Sequence, residues 1–179
     1  MGTAISAIFT AGGVDVQQVD SDSGDIEVEG DIVVLAVPHS AFGDIVATHG
    51  EKFAGKIVVD ISNPIDFQTF RLAVPADGSA AAQLADQLPE ATVLKAFNTT
   101  FAATLTSGSV GANPTTVLVA GDDDDAKNVL VQAVTAGGVQ ALDVGALSAA
   151  RELEAIGYLQ LQLAISEKVA FTGGFSITK

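Results

Sequence analysis

The chain contains no cysteine. Disulfides, thiol nucleophiles and cysteine-ligated metal are therefore excluded, and the composition suits a cytoplasmic protein. Histidine is almost as scarce: His39 and His49 are the only two, and neither sits in a Ser/Asp arrangement suited to nucleophilic catalysis. Basic residues are few, eight Lys and Arg against 22 Asp and Glu, for a net charge of −14. That field repels phosphate backbones and anionic lipid, so neither nucleic acid nor a membrane surface is an expected partner. Although 48% of the residues are hydrophobic, they fall in short Val, Ala, Ile and Leu runs, well below the roughly 18 apolar residues of a membrane helix. Residues 2–14 lack a preceding Lys or Arg and run into Asp15, which argues against a signal peptide. One more element is wanting. Met1-Gly2-Thr3-Ala4-Ile5 reads as the start of a helix, not as a strand.

What is present is a repeated unit. Ile32–Pro38 (IVVLAVP) runs into His39-Ser40, Ile57–Ile61 (IVVDI) into Ser62-Asn63-Pro64, and Val93–Phe97 (VLKAF) into Asn98-Thr99-Thr100. In a parallel α/β sheet, loops that follow such strands gather along the carboxyl edge, where ligands bind. Around them the spacing predicts a helix over Thr3–Ala11, a strand over Val14–Val19 and a polar, acidic loop through Asp31. Further helices are expected over about His39–His49, Ser79–Gln87, Asp122–Ala136 and Ala146–Ala170. Thr115–Ala120 and a last parallel strand Val139–Asp143 complete the sheet, with Phe175–Thr178 as an edge strand. At 179 residues, strand–helix alternation without a linker or repeat predicts one α/β domain, a doubly wound, mainly parallel sheet over 1–179.

Five pieces in order make the pattern specific: G-T-A-I at the start, A-V-P, D-I-S-N-P, K-A-F-N-T, and R-E-L-E-A-I-G-Y-L in the last helix. Together they resemble the coenzyme F420-dependent NADP oxidoreductase family, which also supplies the cytosolic domain of six-transmembrane metalloreductases. The resemblance implies a Rossmann fold whose members open with a strand and a G-x-G-x-x-G turn. Met1-Gly2 aligns with the last two positions of that turn, so the resemblance implies that the family motif is here reduced to its third glycine, without the first strand. In the order 3-2-1-4-5-6 that strand is central. Its absence is expected to leave two unpaired inner edges and to remove about five buried side chains at roughly 1.5–3 kcal/mol each. The 179 residues alone are thus not expected to hold the standard fold; an upstream segment, a partner chain or closure of the sheet would be needed.

The resemblance implies an oxidoreductase that moves hydride between a nicotinamide dinucleotide, NADP or NAD, and a flavin- or deazaflavin-like small-molecule partner, with homodimer formation a further expectation. Ring-to-ring transfer asks for proximity and exclusion of water, so the lack of a catalytic acid–base set is consistent with it. Cofactor-side positions are Gly2, Asp20, Ser21, Ala36, Val37, Pro38, Asn63, Pro64, Asn98 and Thr99. Gly2 allows the first helix to pack closely. Asp20, eighteen residues on, stands where a carboxylate takes the adenosine ribose. Ser21 could bond a 2′-phosphate, but Asp20 and Asp22 flank it, which removes the usual disfavour toward NAD. Asn63 and Asn98 offer amide donors and acceptors without charge and are expected to face each other across the nicotinamide. Bland readings accompany these: Asn63-Pro64 as a turn, Thr99-Thr100 as a helix cap, and Arg151, Glu152 and Glu154 as packing. Lys95, inside an apolar strand, is expected to reach toward a carboxylate at the sheet edge. Asp122–Asp125 reads as capping rather than a cation site. Two other function classes stay open, a pyrroline-5-carboxylate reductase-like enzyme and a non-catalytic nucleotide-binding remnant.

Overall fold

Three short strands lie side by side and parallel: β1 (Ile32–Leu35), β2 (Ile57–Asp60) and, after the hairpin of β3 (Ile65–Asp66) and β4 (Arg71–Leu72), β5 (Thr92–Lys95). A second small hairpin, β6 (Ser109–Val110) with β7 (Asn113–Pro114), leads into β8 (Thr116–Gly121), and β9 (Gln140–Asp143) closes a five-stranded order β1-β2-β5-β8-β9. The structure is a computed structural model and describes residues 1–20 and 27–178. No helix among the described residues is long and apolar enough to cross a membrane.

The strands read as near-continuous Val, Ile and Leu because both faces of the sheet are covered. Alternation sends Val59 and Leu94 into one layer with Ile5, Ile8 and Phe9 of α1 (Gly2–Ala11) and Leu130 and Val134 of α5 (Asp124–Ala136). Val58 and Val93 point the other way, against Phe42 of α2 (Phe42–His49), Ala81 and Leu84 of α3 (Ala80–Gln87), and Ala150 of α6 (Ala150–Ile165). Val58, Val59 and Leu94 are fully buried, each contributing about 1.5–3 kcal/mol.

The sheet departs from parallel order at one junction, and Val139–Asp143, expected as a last parallel strand, lies beyond it. β8 runs antiparallel to β5, and β9 is parallel to β8, so the last two strands are reversed relative to the first three. A parallel crossover needs a connection that traverses the sheet. Between β5 and β8 the chain forms only the six-residue α4 (Ala102–Ser107) and the β6–β7 hairpin, whereas β8 and β9 are joined by the thirteen-residue α5.

Two expected strands do not form. Val14–Val19 joins no strand ladder among the described residues, and Val14, Val16 and Val19 are exposed. An extended segment without a ladder leaves much of its backbone to water. Phe175–Thr178 is likewise outside any strand, held instead by Phe175 N–H donating to Gln160 Oε1 at 2.9 Å. α6 stops at Ile165, short of the expected Ala170. Glu167 takes φ 59°, while its N–H donates to Ala164 O at 3.1 Å and that of Lys168 to Leu163 O at 2.9 Å, a left-handed cap normally made by glycine.

Candidate functional site

The loops after β1, β2 and β5 converge on one edge. α1 starts there too: Met1 gives its first turn no side-chain cap, no acidic residue lies in that turn, and a Cβ on Gly2 would lie 3.3 Å from the Ala36 Cβ. Gly2 and Ala36-Val37-Pro38 are therefore neighbours, as the sequence implies. The chain turns sharply after Leu35, with the Ala36 N–H bonded back to Val34 O at 3.1 Å and Ala36 and Pro38 exposed. His39 stacks edge-on against Phe42 with centroids 5.4 Å apart, and its Nδ1 is buried without a partner.

Under this edge lies a charge cluster only half foreseen. β2 and β5 are in register with Asp60 opposite Lys95. Lys95 does not reach outward; it is 0% exposed and donates to Asp60 Oδ2 at 2.8 Å, Ser62 O at 2.7 Å and Glu154 Oε1 at 2.9 Å. A buried ammonium persists because all three of its protons are used. Glu154, the expected packing residue of α6, also accepts the N–H groups of Ala80 and Ala81 at 3.0 and 3.3 Å. The second carboxylate is thus offset by the N-terminus of α3, whose own cap is Ser79. One cluster locks β2, β5, α3 and α6 together. The signal was in the sequence: both strands end their apolar run on a charged residue of opposite sign.

Directly above, the two asparagines form a clasp. Phe97, wholly buried, takes φ 62°, a strained setting for a non-glycine residue of the kind that gathers at functional sites. It turns Asn98 inward. Asn98 Nδ2 donates to Asn63 Oδ1 at 2.9 Å and to Leu153 O at 2.8 Å, and Asn63 Nδ2 returns a bond to Asn98 O at 2.9 Å. The two amides do not face each other across an open position; they bond directly, because β2 and β5 are adjacent and their first polar side chains are within reach. Gly157 of α6 permits this, since a Cβ there would lie 2.3 Å from Asn63 Oδ1. Two buried atoms at this edge have no partner, Asn98 Oδ1 and Ser62 Oγ; Ser62 was not singled out in the sequence.

The remaining positions vary. Pro64 is buried and its carbonyl accepts the Ala73 N–H at 2.7 Å, closing the β3–β4 excursion. Thr99 is buried and bonds Gln160 through its carbonyl at 3.1 Å; Thr100 donates to Phe97 O at 2.7 Å. Neither caps α4, whose first turn is closed by the Thr104 hydroxyl. Asp20 is exposed at the end of the Val14–Val19 segment, while Ser21 and Asp22 lie outside the described residues. Asp123 caps α5, the role read from the run, whereas Asp122 turns away from that helix and accepts the Leu147 N–H at 2.8 Å. Lys127 bridges Asp124 and Asp143 at 2.9 and 3.0 Å. The Asp124 contact, then Asp143, raises the Lys127 ammonium above its ordinary value.

No protein-family profile matches the chain. The F420-dependent NADP reductase of Methanocaldococcus jannaschii is 34% identical over 168 residues, 90% of this chain and 74% of the relative. This chain belongs to the F420-dependent NADP reductase family. It is accordingly an oxidoreductase. The rat metalloreductase STEAP3 is 35% identical over 126 residues, 70% of this chain and 25% of that protein. A candidate F420-dependent NADP-reductase from Arthrobacter sp. FB24 matches at a TM-score of 0.75 and 25% identity, covering 97% of this chain and 73% of its own. That agreement bears out the Rossmann-like, mainly parallel α/β class. The Plasmodium falciparum pyrroline carboxylate reductase, at a TM-score of 0.57 and 10% identity, shares the fold alone.

Proposed function

We propose that the chain binds NADP(H) across the carboxyl edge of β1, β2 and β5, accepts NAD(H) as well, and passes hydride between the nicotinamide and a flavin- or deazaflavin-like acceptor. The observation that carries this, beside family membership, is the meeting at one edge of the uncapped α1 start, the Gly2–Ala36 contact and the orphaned Asn98 Oδ1 and Ser62 Oγ. These groups fit a dinucleotide. Free N–H groups of a helix start take a phosphate, the Ala36-Val37-Pro38 turn forms an apolar wall, and one acceptor with one hydroxyl complements a carboxamide. Bound there, the dinucleotide supplies the hydride chemistry. The protein's part is to hold, orient and exclude water, with the Lys95 cluster fixing the strand ends beneath.

Asp20 would take the adenosine ribose, and Ser21 a 2′-phosphate if one is present. A homodimer is the assembly the surface favours, because residues 155–166 of α6 and its cap carry no charge, while Ile156, Leu159 and Ile165 are exposed. A cytoplasmic location agrees with the absence of cysteine. The test uses NADPH deuterated at C4 with a deazaflavin acceptor, followed by mass spectrometry of the reduced acceptor. Deuterium in the product is expected. NADPH binding without any oxidation would favour a nucleotide-binding remnant, and turnover only with a cyclic imine would favour the pyrroline-5-carboxylate reductase-like reading.

A further inference from the structure

The most exposed large apolar side chain of the described residues is Phe67, at 67%, and Phe70, three residues on, is 43% exposed. Both sit at the tip of the β3–β4 hairpin, which leaves the candidate site immediately after Asn63-Pro64. The tip is stiff. Asp66 accepts the N–H of Gln68 at 2.8 Å and of Thr69 at 3.4 Å and the Thr69 hydroxyl at 2.8 Å; the Thr69 hydroxyl, foremost, holds its carboxyl below the usual range. Phe70 N–H donates to Asp66 O at 2.7 Å, and the hydroxyl of Tyr158, the residue that follows Gly157 in α6, donates to Phe70 O at 2.7 Å.

Within this frame Phe70 takes φ 52°, a conformation disfavoured for an aromatic residue and a departure that calls for a function. Its effect is to turn the Phe70 ring against Phe67, centroids 6.3 Å apart and planes at 89°. Two rings at right angles form an open corner. A flat polycycle laid on one ring meets the edge of the other, the geometry that aromatic quadrupoles favour.

We propose that the Phe67–Phe70 corner is the stacking platform for the planar ring of the hydride acceptor. The inference rests on the hydride-transfer reading, which requires such a ring beside the carboxyl edge. A second copy of the chain is the weaker occupant. The patch is one rigid tip interrupted by polar Gln68 and Thr69, and a stable interface buries about 800 Å² per partner.

The test is a fluorescence titration of a deazariboflavin chromophore, with NADPH titrated in parallel, on the wild type, Phe67→Ser, Phe70→Gly and the double variant. Each single change is expected to weaken chromophore binding by about tenfold and the double change by more, with the NADPH dissociation constant unmoved. Phe70→Gly relieves the strained φ, so its thermal midpoint should not fall, which separates loss of a platform from loss of the fold. Chromophore binding by the double variant within about twofold of wild type overturns the proposal. So does dissociation of a dimer in sedimentation with chromophore affinity intact. Wild-type binding of NADPH without any chromophore binding overturns the platform and leaves the dinucleotide reading standing. Absence of NADPH binding with chromophore binding lost in the double variant supports the platform and rejects that reading.

Discussion

Lys95→Met is the most informative single change, because it removes the one cation of a buried three-charge cluster and keeps the length of the side chain. In the native protein the ammonium satisfies Asp60, Glu154 and the Ser62 carbonyl at 2.7–2.9 Å, with Lys95 and Asp60 at 0% exposure and Glu154 at 1%. The variant leaves two carboxylates buried, with only the Ser62 N–H on Asp60 and the α3 N–H groups on Glu154. Breaking a buried pair in this way costs about 3–5 kcal/mol. With a urea slope of about 2 kcal/mol per M for a domain of this size, the midpoint should fall by about 1.5–2.5 M, read by far-ultraviolet circular dichroism. Added salt should not change the difference, since buried charges are poorly screened. Neutralising the whole cluster, Asp60→Asn with Lys95→Met and Glu154→Gln, should recover more than half of the loss, because no unpaired charge then remains. A midpoint shift below about 0.5 M, or one abolished by salt, refutes the argument, for either result would mean that the cluster is hydrated.

Asn98→Leu removes the donor from Asn63 Oδ1 and Leu153 O; at about 1–3 kcal/mol for each abandoned buried acceptor and about 2–4 °C per kcal/mol, the thermal midpoint should drop by at least about 4 °C, and an unchanged midpoint with lost turnover would assign Asn98 to the ligand alone. Gly157→Ala should strain the same clasp, with a midpoint loss as its readout. The Asp143 carboxyl is held below the usual carboxylate range, first by the Gly145 N–H and also by Lys127. Its contribution is therefore present above an unfolded value of about 4 and disappears as pH falls through the lower folded value. Urea midpoints of Asp143→Asn should decline less steeply than wild type between about pH 5 and pH 3, and parallel declines would remove Asp143 from the account. Finally, Asp20 and Asp22 should let NADH bind at least as tightly as NADPH; calorimetric titrations showing NADPH ten times tighter would reject that placement.

The sequence by itself determined the layered α/β class, the three strands that lie within or about Ile32–Pro38, Ile57–Ile61 and Val93–Phe97, and the capping role of Asp123. These follow from local rules: apolar runs of strand length, glycine and proline breaks, and the shared direction of parallel strands. It also put Gly2 and Ala36 on one edge, where the structure has them as neighbours, since a helix start and a strand end meet wherever a β-α unit closes.

Only the tertiary structure decided the rest. The reversal of β8 depends on whether the segment from Ala96 to Thr115 crosses the sheet, which composition does not encode. Val14–Val19 alternates as a strand should, yet a strand exists only when another backbone accepts its hydrogen bonds. Asn63 and Asn98 were legible as polar residues at an edge, but their mutual clasp follows from strand adjacency and from Gly157 on a helix about sixty residues further along. Lys95 was legible as a charge in need of a partner; Glu154 became that partner because α6 packs across the ends of β2 and β5. Local sequence fixes what each segment prefers, whereas long-range contacts choose which polar groups are buried together, and the chemistry of this edge resides in those contacts.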